Sequence, residues 1–183
     1  MLYIVVALKA EAQAFVDKFK LSKSSLGGYT FYENAQMRLI ISGMGVESAM
    51  RATQTLINYF DITDDDVYTN IGICGGDEKY PIGSLLDIAS IGYKERIYPL
   101  KEEGELITCV DEAMSDNKFA LADMESFGFY EAVRHSPAIK NIYIFKVVSD
   151  HFQPQSVNKE MAKSLIFNQI DGIKSIIYSK GEI

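Results

Sequence analysis

The chain has 183 residues, 48% hydrophobic and 23% charged, which suits one globular domain (1–183) with a sizeable core. A net charge of −7 leaves no basic face for phosphates, so neither nucleic acid nor an anionic membrane surface is an expected partner. Two cysteines, Cys74 and Cys109, give no disulfide framework and fit a reducing compartment, and together with two histidines they form no metal-ligand pattern. Residues 2–7, LYIVVA, form a short β-branched run that predicts a buried strand. The run lacks a basic leader, so it is not read as a secretory signal. No run approaches the roughly 18 apolar residues of a membrane span, and the expected location is the cytoplasm.

A helix is expected over residues 10–19, with Phe15 and Phe19 on one face. YTFYE and MRLIIS read as two strands joined by a turn at residues 33–36. After SGMG, the spacing of Val46, Ala49, Met50, Thr53, Ile57 and Phe60 predicts a helix. DITDDD reads as a solvated loop, VYTNIG as a strand and ICGGDEKYPIG as a Gly-rich loop. LLDIASIGY and ELITCV read as strands separated by a charged stretch, KERIYPLKEEGE. A helix is expected after Asp123, then the strand NIYIFKVVSD. A last helix is expected over 156–179, with Ala162, Ile166, Ile170, Ile173 and Ile177 on one face and Gly181 after its end. Strands alternate with helices, so the expected fold is α/β, a mixed central β-sheet flanked by helices.

In such sheets ligands bind beyond the carboxyl ends of the strands. That rule gathers residues 7–11, 42–45, 70–76 and 149–150 on one rim, with Glu11, Glu125 and Asp150 as carboxylates that share it. Each also has a plainer reading. Glu125 and Glu11 suit the first turn of a helix, where the dipole favours an acid, and Asp150 suits an N-cap. SGMG is half of a dinucleotide fingerprint or a tight strand-to-helix turn, and its helix N-terminus suits an anion or a hydroxyl-rich ligand. The Gly-rich loop lacks the Gly-Lys-Ser/Thr ending of a P-loop, which excludes nucleoside triphosphate hydrolysis. Cys74 has no histidine in its loop to activate it and reads as a structural cysteine. His135 and His151 read as surface or helix-end residues.

Five stretches in order, IVVALKAEAQAF, LIISGMGVESAMRAT, NIGICGG with PIGSLLDIASI, ADMESFGFYEAV and FKVVSDH, resemble the nucleoside phosphorylase and nucleosidase superfamily. The closest likeness is to 5′-methylthioadenosine/S-adenosylhomocysteine nucleosidases, and it spans nearly the whole chain. The resemblance implies a nucleoside phosphorylase-like fold and cleavage of the N-glycosidic bond of a purine-type nucleoside or thionucleoside, as in purine salvage. It implies Asp150 as the acid that protonates purine N7, with Ser149 orienting it. Glu11 would activate the attacking water, and Glu125 would grip ribose hydroxyls and stabilise the oxocarbenium-like state. Met124 would pack under the sugar, and Gly75 and Lys146 would complete the substrate site. No metal or cofactor is implied. Phosphate would be a co-substrate only in a phosphorylase, and the partner would be a small-molecule nucleoside, bound by a homodimer or higher homo-oligomer.

The departures from the family pattern bear on the reaction. Phosphorolytic members hold phosphate with an Arg and a hydroxyl where this chain has Asn70 and Ile73, so hydrolysis is favoured. Phosphorolysis, a glycosyl transfer to phosphate, and a catalytically weak nucleoside-binding domain are the alternatives. Lys146 stands where nucleosidases have Arg, keeping charge but losing the planar fork, and Ser84 replaces an Asp. The chain is shorter than family members between Tyr93 and Glu105 and between Met114 and Asp123. The aromatic that stacks on the base has only Met114 and Phe119 as candidate counterparts.

Overall fold

The computed structural model describes residues 1–179, and Gly181 lies outside the described residues. The strands are β1 (Leu2–Val6), β2 (Ser22–Leu26), β3 (Tyr29–Glu33), β4 (Met37–Ile41), β5 (Val67–Gly76), β6 (Leu85–Tyr93), β7 (Arg96–Pro99), β8 (Glu105–Cys109), β9 (Leu121–Asp123) and β10 (Asn141–Asp150). The helices are α1 (Lys9–Phe19), α2 (Val46–Tyr59), α3 (Ser126–Arg134) and α4 (Lys159–Ser179), with a 3₁₀ turn at Pro154–Ser156. All ten strands join one mixed sheet.

Strand β1 shows why the sheet must be covered on both faces. Leu2, Ile4 and Val6 pack into one apolar cluster, while Tyr3 and Val5 pack into the other, as the two-residue period of a strand requires. Helices α1 and α4 cover the first cluster and α2 and α3 the second. Helix α4 contributes Ile166, Ile170, Ile173 and Ile177 at helical spacing, all buried. Each stabilises the fold by about 1.5–3 kcal/mol on burial. Helices α2 and α3 cross so closely that a Cβ on Gly128 would lie 2.0 Å from the Val46 carbonyl oxygen, so only glycine fits there.

The sheet order places β5 at the centre of the site. Its first half pairs in parallel with β1, it pairs in parallel with β10 from Val67 to Gly75, and its last two residues, Gly75 and Gly76, pair with β9. Strands β9, β8, β6 and β10 then lead back to β5, closing five strands into a ring. Pairing between β1 and β5 ends at Val5 and Asn70. Beyond that point the strands part, and the space between them is where a ligand can enter the carboxyl edge.

Several elements differ from the sequence expectation. Strand β2, SKSSL, has four of five residues exposed, so it carries no apolar period to reveal it. Strand β7 lies inside the charged stretch and β9 is only three residues long. The stretch ICGG is not loop but the end of β5. Asp66 is not a solvated loop acid: it is 4% exposed and pairs with the N-terminal ammonium at 2.9 Å. Helix α4 begins at Lys159 rather than 156, and Ser156 belongs to the 3₁₀ turn. Phe60 stands at the C-cap of α2, and Met50 and Ile57 are half-buried while Ala52 and Leu56 are buried.

Candidate active site

A cavity of about 180 Å³ opens where β1 and β5 part. It is lined by Glu11, Glu125 and Asp150, which come from α1, the start of α3 and the end of β10. Met124, Ser149 and Gly75 also line it. The chain therefore brings six of the seven sequence-predicted site residues to one space. The seventh, Lys146, is fully buried and is not part of the cavity wall.

Glu11 bridges the diverging strands. Its Oε2 accepts hydrogen bonds from the Ala7 and Leu8 amides at 3.0 and 2.9 Å, and its Oε1 accepts one from the Ile73 amide at 2.9 Å. These are backbone donors that the parting of β1 from β5 leaves without strand partners. The carboxylate approaches β5 closely because residue 72 is glycine: a Cβ there would sit 3.0 Å from Glu11 Oε1 and 3.4 Å from Lys146 Nζ. Burial raises the Glu11 pKa above the usual carboxylate range, against those hydrogen bonds and the Lys146 charge, which lower it.

Glu125 is the N-cap residue of α3, but its side chain does not cap that helix. Asp123 does so instead, accepting from the Ser126 amide at 2.9 Å and from the Ser126 hydroxyl at 2.6 Å. The Glu125 carboxylate is thereby free to reach across to the SGMG turn, where its Oε1 accepts from the Gly45 amide at 2.9 Å. Gly43 and Gly45 adopt φ of 82° and 96°, which gives the turn its shape. The N-terminus of α2 thus receives an anion of the protein itself. Burial pushes the Glu125 pKa up to about 7, with Lys146 pulling it down and Asp123 pushing it further up.

Lys146 is the counter-charge for this group. Its Nζ lies 2.7 Å from Asp123 Oδ2, and its charge also acts on Glu125 and Glu11. Asp123 is its direct ion-pair partner. Burial opposes the ammonium, yet the three carboxylates raise its pKa on balance. One ammonium faces three carboxylates, so the Asp123 and Glu11 charges add to the effect of burial in raising the Glu125 pKa.

The other end of the cavity is apolar, lined by Cys74, Val110, Met114, Ala122 and Phe152 around Asp150. Asp150 is held at both oxygens. Ser149 Oγ donates to its Oδ2 at 2.7 Å and the Gln153 amide donates to its Oδ1 at 2.7 Å. The N-cap-like contact and the cavity position therefore coexist. Burial raises the Cys74 thiol pKa, so the thiol stays protonated. Met114 lines the cavity and Phe119 does not. His151 is half-buried, with Nδ1 2.9 Å from the Gly76 carbonyl oxygen, and not at a helix end; His135 is exposed at the end of α3. Asn70 is buried and donates to the Val5 carbonyl at 3.1 Å.

Sequence reasoning did not find Asp123 or Phe152. Asp123 stood in a recognised motif as the residue before Met-Glu, and an Asp three residues ahead of Ser126 is a legible cap signal. Phe152 carries no local signal, because its place depends on the turn after β10. Among the described residues no cluster of three metal-ligating side chains occurs and no helix is long and apolar enough to cross a membrane.

No protein-family profile and no curated protein sequence matches the chain. Solved structures do. A mutant Helicobacter pylori 5′-methylthioadenosine/S-adenosylhomocysteine nucleosidase with 5′-methylthioadenosine in its active site superposes with a TM-score of 0.79 at 13% identity, over 97% of this chain and 98% of that one. The Neisseria meningitidis enzyme of the same name, in complex with methylthio-immucillin-A, gives 0.77 at 15% identity over 96% and 98%. The Helicobacter pylori futalosine hydrolase gives 0.78 at 13% identity over 97% of each chain. With the mixed ring-closed sheet, its four helices and the cavity at the carboxyl edge of β1, β5 and β10, the chain has the α/β fold of the nucleoside phosphorylases and nucleosidases, in the form seen in 5′-methylthioadenosine/S-adenosylhomocysteine nucleosidases.

Proposed function

We propose that the protein hydrolyses the N-glycosidic bond of a purine-type nucleoside or thionucleoside. The observation that carries this is the convergence of Glu11, Glu125 and Asp150 on one cavity with largely apolar walls. Asp150, held by Ser149 and the Gln153 amide, donates a proton to the departing base so that it leaves neutral. Glu125 accepts hydrogen bonds from ribose hydroxyls, and its negative charge stabilises the positive charge that grows on the sugar ring. Glu11 takes a proton from the attacking water. Lys146, paired with Asp123, offsets the repulsion among the carboxylates.

Hydrolysis is preferred to phosphorolysis on a specific ground. A phosphate dianion needs paired donors when it is buried. Here Ile73 supplies only its amide, already given to Glu11, and the Asn70 side chain is turned to Val5. Lys146 is committed to Asp123. The proposal includes a cytoplasmic homodimer or higher homo-oligomer. The face of the sheet at β7 and β8 that carries Ile97 and Leu106, 65% and 44% exposed, suits such a contact.

The test is incubation with a panel of purine nucleosides and 5′-thionucleosides, with and without phosphate. Free base and free sugar in both arms are expected. A protein that binds nucleosides and releases no base is the weak binder of the same fold.

A further inference from the structure

Phe152 lies two residues beyond Asp150 and is 5% exposed. It adopts φ of 57°, a left-handed conformation unusual for a bulky side chain. The other non-glycine residues with positive φ among the described residues are Lys20, which caps the end of α1, and Lys94 and Glu95, which form the two-residue turn between β6 and β7. Those three are explained by their turns. Phe152 alone among them is buried, and strain of about 1–3 kcal/mol held at a buried position is characteristic of ligand-binding sites.

The ring has a seat made for it. It rests on Gly75, where a Cβ would lie 3.2 Å from Phe152 Cδ1 and 3.3 Å from Cε1. Gly75 does not need glycine for its backbone, because it sits in β5 without a positive φ. What it lacks is a side chain that would lift the ring. The same Cβ position is 3.9 Å from Asp150 Oδ1, so ring and carboxylate meet at one corner of the cavity.

Phe152 also borders a second cavity of about 270 Å³, lined by Asp77, Glu78, Ser115, Asp116, His151 and Gln153 among others. Phe152 is the residue common to the walls of both spaces. The first cavity, about 180 Å³, is smaller than the ~300–1,000 Å³ usual for small-molecule sites. It is lined by Met44, which is 63% exposed, as well as by the buried Phe152.

We infer that Phe152 is the specificity-determining wall of the leaving-group end: seated on Gly75 beside Asp150, its ring admits an unsubstituted base and excludes one with a bulky substituent. It rests on the nucleosidase reading above for the identity of the leaving group. Removing the ring joins the two cavities and gives a substituent polar, hydrated room.

The experiment compares wild type with Phe152→Ala and Phe152→Gly. The glycine variant also relieves the backbone strain, which keeps the comparison clear of misfolding. Calorimetry measures binding of adenine and of 6-benzylaminopurine, and kinetics measures cleavage of the two matching ribosides. Wild type is expected to prefer the smaller ligand by at least ~10-fold, the scale of discrimination that an apolar wall supplies. In both variants that preference falls ~10-fold or more, through Kd and KM rather than kcat. An unchanged ratio, or an equal loss of both ligands, overturns the inference while leaving the hydrolase reading intact. Failure of all three proteins to bind either base overturns both.

Discussion

At one end of the cavity, Glu11, Asp123 and Glu125 surround the single ammonium of Lys146; at the other, Asp150 stands among Cys74, Val110, Ala122 and Phe152. The first end is a buried charge cluster fixed by backbone amides from three elements. The second is one carboxylate in an apolar frame, fixed by a neighbouring hydroxyl and a turn amide. The difference teaches how a site separates tasks. Stabilising a growing positive charge needs excess negative charge held rigidly in place, whereas delivering a proton needs one oriented acid with an apolar surface for the base.

The comparison breaks most sharply at Asp150. Asp150→Asn keeps the size and the Ser149 contact but loses the titratable proton, and kcat is expected to fall by about two to four orders of magnitude. Steady-state assay for free base checks this, and unchanged turnover would mean that the base leaves unprotonated. Next is Lys146→Met, which leaves Asp123 buried without its counter-charge and lets the repulsion among the carboxylates act. A loss of about 3–5 kcal/mol in stability is expected, read by urea unfolding. A loss below about 1 kcal/mol would show that the cluster neutralises itself by taking up protons.

A smaller effect separates the two ends by pH. The Glu125 pKa is raised from 4.5 to about 7 by folding, so its contribution favours the folded state below pH 4.5 and is lost as the pH rises through 7. Glu11, also raised, acts in the same direction. Glu125→Gln is therefore expected to be relatively more stable than wild type at about pH 8 than at about pH 5, by a few degrees in Tm. A Tm difference that does not vary with pH would remove Glu125 from the cluster's balance. The smallest expectation is no effect at all: added phosphate leaves the rate unchanged, and the product is free sugar. Sugar 1-phosphate as the main product would overturn hydrolysis while keeping the roles of Glu125 and Asp150.

Much of this was legible in the chain. The period of β1 and α4, the SGMG turn and the order of the motifs placed the core and three carboxylates on one rim, because apolar spacing and strand-end position are local properties. SKSSL was not legible as a strand, since an exposed polar strand forms through its pairing with β3 rather than through burial. ICGG looked like a loop because two adjacent glycines usually mark one. Here they let Phe152 lie against Gly75 and bring the side chains of Leu121 and Val148 close to Gly76.

The sequence by itself determined which residue types carry the chemistry: three acids, two at helix starts and one at a strand end, one lysine in an apolar strand, and no cation or hydroxyl side chain at 70 and 73. Only the tertiary structure decided what each acid faces. Whether Glu125 caps its own helix or crosses to Gly45 depends on Asp123 taking the cap. Whether Lys146 lines the cavity or is buried away from its wall depends on how β10 packs against β5. Charge energies depend on distance and on the removal of water, and both are set by segments far apart in the chain.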